Sequence, residues 1–496
     1  MNYKKVTPLL MMLVLLVTAC AVNPVTGKKQ LSFMSEAQEI AMGKQSDPAI
    51  IAQYGLYPNE ALQDFIQEKG EAMAAISHRP GLDYEFKILD SDVVNAFAVP
   101  GGYIYFTRGI MAHFNNEAQF AGVLGHEIGH VAARHSAQQY TKQMIGQIAF
   151  IGGMIASEKF RDFAGEAMQG MQLLFLKFSR SAESESDVLG VDYSSTVGYD
   201  AHQMADFFKT LDRMSGGSEG RLPEFYSTHP DPGRRYNDVN KLTDKWHEEH
   251  NANPNMVIRD SYLEMINGII YGEDPRQGYV EENTFYHPEL KFQFPVPVKW
   301  QLMNSPSQVQ MAPEKGDALM VFTLSQKSTL AEAASEIKTT YQLQNIKEKS
   351  FKVHGLNAYG MVSDYPQSDP NAVTSSADQP EPLAMQTVLI DYNDLIYVFH
   401  GLCEKKDYDK FEPNFDNTML NFKTLTDLSK INVLPERIKV VSVDNATTVQ
   451  QFLAQKGIPS DRLEEFAILN GMQLSDNLSA GTLVKLIEKR AGDAVN

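Results

Sequence analysis

His126-Glu127-Ile128-Gly129-His130 places two imidazoles four residues apart with a glutamate between them. On a helix that spacing brings both rings to one face about a turn apart, as two ligands on one rigid rod. A catalytic zinc keeps three protein ligands and an open position for water, so the pair requires a third donor from elsewhere in the chain. Glu183-Ser184-Glu185-Ser186-Asp187 supplies it. Glu183 and Asp187, again four apart, share a helix face, so Glu183 can bind the metal while Asp187 hydrogen-bonds a ligand imidazole from behind. Glu185 points away from that face and is not expected to ligate. Glu127 sits about 100° around the helix from His126, beside the metal, which makes it the candidate general base. Such a set hydrolyses amides: the metal lowers the pKa of its water toward ~7 and polarises the carbonyl, and the glutamate carries the proton to the leaving amine. Two histidines and a carboxylate accept several divalent ions, with zinc the expected one.

The elements that must position these groups are legible in outline. Between Glu117 and Arg134, apolar Ala121, Leu124, Ile128 and Val131 form a helical stripe, with His126 and His130 on roughly the opposite side. This helix is expected to be occupied on both faces. Val93 to Val99 and Tyr103 to Phe106 flank Pro100-Gly101-Gly102 as a hairpin, with Tyr84 to Leu89 adding to a small sheet. Ser35 with Glu36 and Glu39 marks a capped helix, Asn59 to Ala75 a second, and Met204, Phe207, Phe208, Leu211 and Met214 a third, core-facing one. The Met- and Gly-rich stretch from Gln138 to Phe178 lies between the two halves of the metal site and reads as a lid, a partner surface or a packed helical hairpin. His135, five residues after His130, does not share its face and reads as structural.

Four runs in order carry a family resemblance: Asn95 to Tyr103, Val123 to Val131, Ser179-Arg180 with Glu183 and Asp187, and Thr228-His229-Pro230. Together they resemble the zinc endopeptidase family of the CAAX prenyl protease, HtpX and BepA type, over about residues 21–271. The resemblance implies a mainly helical, gluzincin-type metallopeptidase domain with a small β-sheet and one Zn2+ per chain. It implies His126, His130 and Glu183 as ligands and Glu127 as catalytic base. It also makes Asn95, Ala96, Phe97 and Ala98 a substrate edge strand, to which an extended peptide adds by backbone hydrogen bonds. His229 has two readings, a fourth ligand that displaces water and holds the enzyme latent, or a histidine that packs a loop. Arg235 likewise reads as an oxyanion stabiliser or as support for the loop carrying His229.

At 496 residues the chain exceeds one core, and its 43% hydrophobic and 21% charged residues are ordinary for folded domains. The expected class is α+β multidomain. Residues 1–19 read as a lipoprotein signal peptide, with Lys4 and Lys5 before an apolar run from Leu9 to Val17 that is too short to span a bilayer. Val17-Thr18-Ala19-Cys20 resembles a lipobox, which implies lipidation at Cys20; a plain secretory signal is the alternative. Ala21 after that cysteine implies, again by resemblance, an outer-membrane address facing the periplasm. Residues 20–30 then form a lipidated, extended tether, 31–277 the metallopeptidase domain and 278–428 an α/β domain. Residues 429–496 resemble a LysM-like βααβ module, a glycan-binding fold. A net charge of −18 with no basic stripe excludes nucleic acid as a partner.

Three functions follow for comparison with the structure. The first is a zinc metalloendopeptidase for unfolded or misassembled envelope proteins. The second is a chaperone or assembly factor for outer-membrane proteins, and the third a peptidoglycan-associated binding protein.

Overall fold

The structure, a computed structural model, describes residues 20–31, 34–146, 178–216, 225–229, 232–366 and 382–490. The expected signal peptide at 1–19 and most of the Met-rich segment at 138–178 lie outside the described residues. Among the described residues no helix is long and apolar enough to cross a membrane. The chain divides into two compact units, the first holding the described residues up to 146, 178–273 and 435–490, the second 274–434.

The first unit opens with a hairpin, β1 (Cys20–Val22) and β2 (Lys29–Leu31), where an extended tether was expected. The turn forms because Asn23 Oδ1 accepts from the backbone N–H groups of Val25 and Thr26, at 2.8 and 3.2 Å, while Gly27 adopts φ 66°. Helices α1 (Glu36–Tyr54) and α2 (Glu60–Ala74) follow. The first is held by a Ser35/Gln38 capping box and the second by Asn59 as N-cap. Strands β3 (Glu85–Leu89), β4 (Ala96–Val99) and β5 (Tyr103–Thr107) make a sheet in the order β3-β5-β4, so β4 lies at an edge. The β4–β5 turn needs Gly101 at φ 87°, and a side chain there would meet the Glu39 carbonyl at 2.7 Å.

Helices α3 (Arg108–His113) and α4 (Glu117–Ala132) come next, and every residue of α4 is buried, as a helix occupied on both faces must be. The chain re-enters a helix, α5 (His135–Gly146), and then α6 (Arg180–Thr196), α7 (His202–Ser215), the single turn α8 (Phe225–Thr228), α9 (Pro232–His250) and α10 (Asp260–Met265). Helices α4 and α6 approach closely because glycines line their contact. A Cβ on Gly190 of α6 would lie 3.1 Å from the Gly122 carbonyl and the His126 nitrogen, and one on Gly129 would lie 3.0 Å from Leu189 Cβ. That closeness brings the carboxylates of α6 to the histidines of α4.

The second unit is built on a seven-stranded antiparallel sheet. Its strands are β9 (Trp300–Asn304), β10 (Gln308–Pro313), β11 (Ala318–Leu324), β12 (Gln344–Val353), β13 (Leu356–Tyr365), β14 (Leu383–Tyr392) and β15 (Leu395–Glu404). Three short strands precede them, β6 (Tyr279–Glu281), β7 (Thr284–His287) and β8 (Phe292–Pro295). Alternation along β11 sends Leu319 and Val321 to one core, with helix α11 (Leu330–Thr340), and Ala318, Met320 and Phe322 to the other, with α12 (Tyr408–Met419). Both faces of the sheet are therefore covered.

Residues 435–490 return to the first unit as β17 (Glu436–Ser442), after a short β16 (Lys423–Thr424), then α13 (Val449–Gln455), α14 (Leu463–Leu469) and, after the two-residue strands β18 (Thr447–Thr448) and β19 (Asn477–Leu478), β20 (Leu483–Lys489). Strands β17 and β20 pair antiparallel, giving the βααβ order. The stretch expected as a separate domain at 429–496 packs on the first unit from residue 435 onward, for two physical reasons. The backbone after α10 adds to β17 through Gly268 N–H to Ile438 O and Tyr271 N–H to Glu436 O, both at 2.8 Å. Lys485, fully buried, donates to the carbonyls of Ala112 and Phe114 at 2.8 and 2.9 Å, satisfying the buried carbonyl end of α3.

Candidate metal centre

Helix α4 projects His126, Glu127 and His130, α6 contributes Glu183 and Asp187, the residue after α8 is His229, and the first turns of α9 contribute Arg235. All seven are buried. His126, His130, Glu183 and His229 each present one potential ligand atom, and these atoms lie within 4.8 Å of one another. His126 Nε2 and His130 Nε2 are 3.0 Å apart, and Glu183 lies 3.7 Å from the first and 3.5 Å from the second. His229 Nδ1 is 3.1 Å from Glu183 Oε2 and 3.3 Å from His126 Nε2.

The donor set suits a divalent ion. Asp187 Oδ1 lies 3.0 Å from His126 Nδ1, so that nitrogen carries the hydrogen and Nε2 carries the lone pair. A nitrogen lone pair 3.0 Å from a second imidazole nitrogen and beside a carboxylate suits a shared cation. Protonation points the same way: burial and Arg235 lower His126 to about 4, and burial with the neighbouring histidines holds His130 well below its usual value. Burial opposes charge on Glu183, but His229 and Arg235 outweigh it and keep the carboxyl low. Neutral imidazoles and an ionised carboxylate are the forms that ligate. The cluster therefore fits one zinc.

Glu127 differs from its neighbours. Both carboxylate oxygens are buried without a hydrogen-bond partner, Oε1 lying 3.6 Å from His229 Nε2, which is also unpartnered. Burial raises its carboxyl to about 7. A buried carboxylate left unsatisfied beside a ligand cluster is a group held for a molecule that arrives later.

Arg235 donates through Nε and Nη2 to the two oxygens of Asp187, at 2.9 and 2.6 Å, and Nη1 lies 3.1 Å from Glu183 Oε2. Its guanidinium stacks 4.0 Å over the Phe208 ring. Burial raises Asp187, yet Arg235 and His126 bring it down to about 2. The fork is committed to two carboxylates of α6, Asp187 and Glu183, a placement that neither expected role named.

Along the edge strand, Asn95 O accepts from Thr107 N–H at 3.1 Å. Antiparallel alternation then turns the peptide groups of Phe97 and Val99 to β5 and those of Ala96 and Ala98 away from it, where Ala98 O accepts from Ser136 Oγ at 3.3 Å. Phe225 N–H donates to Val94 O at 3.3 Å, so the turn that carries His229 is tied to the start of the same strand.

Sequence reasoning gave His135 and Glu185 no part in the metal site, the first as structural and the second as pointing away from the ligand face. Helix α4 ends at Ala132, Arg134 takes a left-handed φ of 59°, and α5 restarts at His135. That reversal folds the His135 ring back to 3.0 Å from His130 Nδ1, an approach that helical periodicity forbids. No spacing signal could have found it.

A fully buried HExxH helix, with a carboxylate delivered by a second helix, is an arrangement that can hold a single hydrolytic metal. Residues 60–243 match Peptidase family M48. The chain is 31% identical over 176 residues to the mitochondrial metalloendopeptidase OMA1 of Arabidopsis thaliana, covering 35% of this chain and 34% of that protein. It is 28% identical to the beta-barrel assembly-enhancing proteases of Yersinia pestis, over 224 residues, and Escherichia coli K12, over 225, covering 44% of this chain and 46% of each. The chain thus spans less than half the length of these curated relatives.

Proposed function

We propose that this chain is a zinc metalloendopeptidase that hydrolyses peptide bonds in unfolded or misassembled envelope proteins. The observation that carries the reading is Glu127, whose buried, unpartnered carboxylate lies against the ligand cluster. A pure binding protein has no use for such a group. His126, His130 and Glu183 would hold the zinc, which when bound supplies a Lewis acid for the scissile carbonyl and for water. Glu127 takes a proton at its carboxylate and returns it to the leaving nitrogen. Asp187 and Arg235 keep His126 and Glu183 in place. The outward peptide groups of Ala96 and Ala98 bind the substrate backbone as an added strand, which selects segments that are locally unfolded. The relatives named as assembly-enhancing proteases support an envelope substrate. The proposed location is the periplasm, with Cys20 lipidated and anchored to the outer membrane.

The test is metal content with cleavage of a denatured protein. About one zinc per chain, and cleavage that stops on chelation and returns with zinc, are expected. Zinc without cleavage would leave the assembly-factor reading, and absence of zinc would remove the enzyme.

His229 supports a latch within this reading. It lies among the ligand atoms and is held by Phe225, whose ring stacks at 4.5 Å. In a fourth ligand position it would displace water, and substrate on the edge strand would draw away the turn tied to Val94. His229→Ala is expected to raise the initial rate of cleavage severalfold at saturating zinc, on the scale of releasing a competing ligand; an unchanged or lower rate would sink the latch. The βααβ unit at 435–490 supports a LysM-like glycan-binding role, testable by retention of the whole chain on purified peptidoglycan.

A further inference from the structure

We infer that His135 and Glu185 are positioning residues for the metal centre, and that Asn23 of the N-terminal hairpin completes the relay behind them. The inference rests on the zinc reading of the cluster. Glu185 Oε2 lies 3.2 Å from His135 Nε2, and His135 Nδ1 lies 3.0 Å from His130 Nδ1 and 3.3 Å from Ser186 Oγ. An ionised carboxylate only accepts, so Nε2 of a neutral His135 carries the hydrogen and its Nδ1 is an acceptor. His130 Nδ1–H then donates to it, with the Ser186 hydroxyl as a second donor. That tautomer leaves His130 Nε2, the atom 3.0 Å from His126 Nε2, with a lone pair for the metal.

Each imidazole ligand is thereby backed by a carboxylate of the same helix, α6. Asp187 reaches His126 directly, and Glu185 reaches His130 through His135, because the left-handed Arg134 brings that ring into line. The far end is closed by β1–β2. Asn23 is 5% exposed, and its Oδ1 is already engaged by two backbone N–H groups. The amide orientation is therefore set, and Nδ2 points to Glu185 Oε1 at 3.3 Å. Residues three positions beyond Cys20 thus share a polar chain with a metal ligand, so undocking the hairpin loosens the centre.

Zinc affinity of the full chain, measured by competition against a chelator of known affinity, tests this without an activity assay. His135→Ala and Glu185→Ala are expected to weaken zinc binding by about 10–100-fold, the range for groups that orient a ligand imidazole. Glu185→Gln keeps one acceptor oxygen and should lose less, and Asn23→Ala should lose least but measurably. The metal-free variants should melt with the metal-free parent. Affinities indistinguishable from the parent would overturn the proposal. Equal losses in Glu185→Gln and Glu185→Ala, each matched by a lower melting temperature without metal, would also overturn it, as packing alone. A parent chain that binds no zinc would instead overturn the metal reading on which the proposal stands.

Discussion

Glu127→Gln is expected to lower peptide cleavage by about 10²–10⁴-fold, the range for removing a positioned general acid-base, while zinc content stays at the parent level. The substitution is isosteric and removes only the capacity to take a proton. It should not disturb the fold, because the amide keeps the shape of the side chain and an acceptor oxygen for the neighbouring Ala98 backbone N–H. Burial already opposes the charge, holding the carboxyl near 7, so the neutral amide is expected to leave stability unchanged or slightly higher. Rates on a denatured substrate, with zinc and melting temperature measured on the same preparation, check all three. Loss of zinc in the variant would mean that Glu127 is a ligand, and retained activity would remove it as the base.

Arg235→Ala is expected to destabilise the first unit by about 3–5 kcal/mol, as breaking one side of a buried ion pair does. The guanidinium is 4% exposed, holds Asp187 through two hydrogen bonds, and lies against Glu183 and the Phe208 ring. Its removal strands the Asp187 carboxylate in a site where Arg235 and His126 keep it ionised against burial, and opens space over Phe208. Lysine would not substitute, because an ammonium cannot span both carboxylate oxygens in a planar fork. Denaturant unfolding of the metal-free protein, following the transition of the first unit, measures the loss. Combining Arg235→Ala with Asp187→Asn should recover part of it, since the stranded charge is then gone. A single variant as stable as the parent, or strict additivity in the double, would show that the pair is not the source of the effect.

Local chemistry was readable where one helix or one turn decides it. The two histidines share a face of α4 because of the period of the helix, and Glu183 and Asp187 share a face of α6 for the same reason. The β4–β5 hairpin follows from Pro100-Gly101-Gly102, and the caps at Ser35 and Asn59 act within four residues. Each of these rests on backbone geometry that repeats over a few residues.

What remained hidden depends on groups distant in the chain. The glycine contact between α4 and α6 sets which carboxylate reaches which ring, and neither helix encodes its partner. Arg235 read equally as oxyanion or loop support until its fork was seen on Asp187, 48 positions earlier. His135 was set aside by helical period, which ceases to apply once Arg134 turns left-handed. The proline and glycine of residues 21–29 suit an extended tether, but Asn23 closes them into a docked hairpin. Residues 435–490 have the local pattern of a module, and contacts such as those of Lys485, Arg213, Arg259 and the strand added at 268–271 tie it to the first unit. Periodicity and turn chemistry are local and so were determined by sequence. Which face meets which, and where a buried charge finds its partner, is decided by desolvation across the assembled core, and only the tertiary structure carries that information.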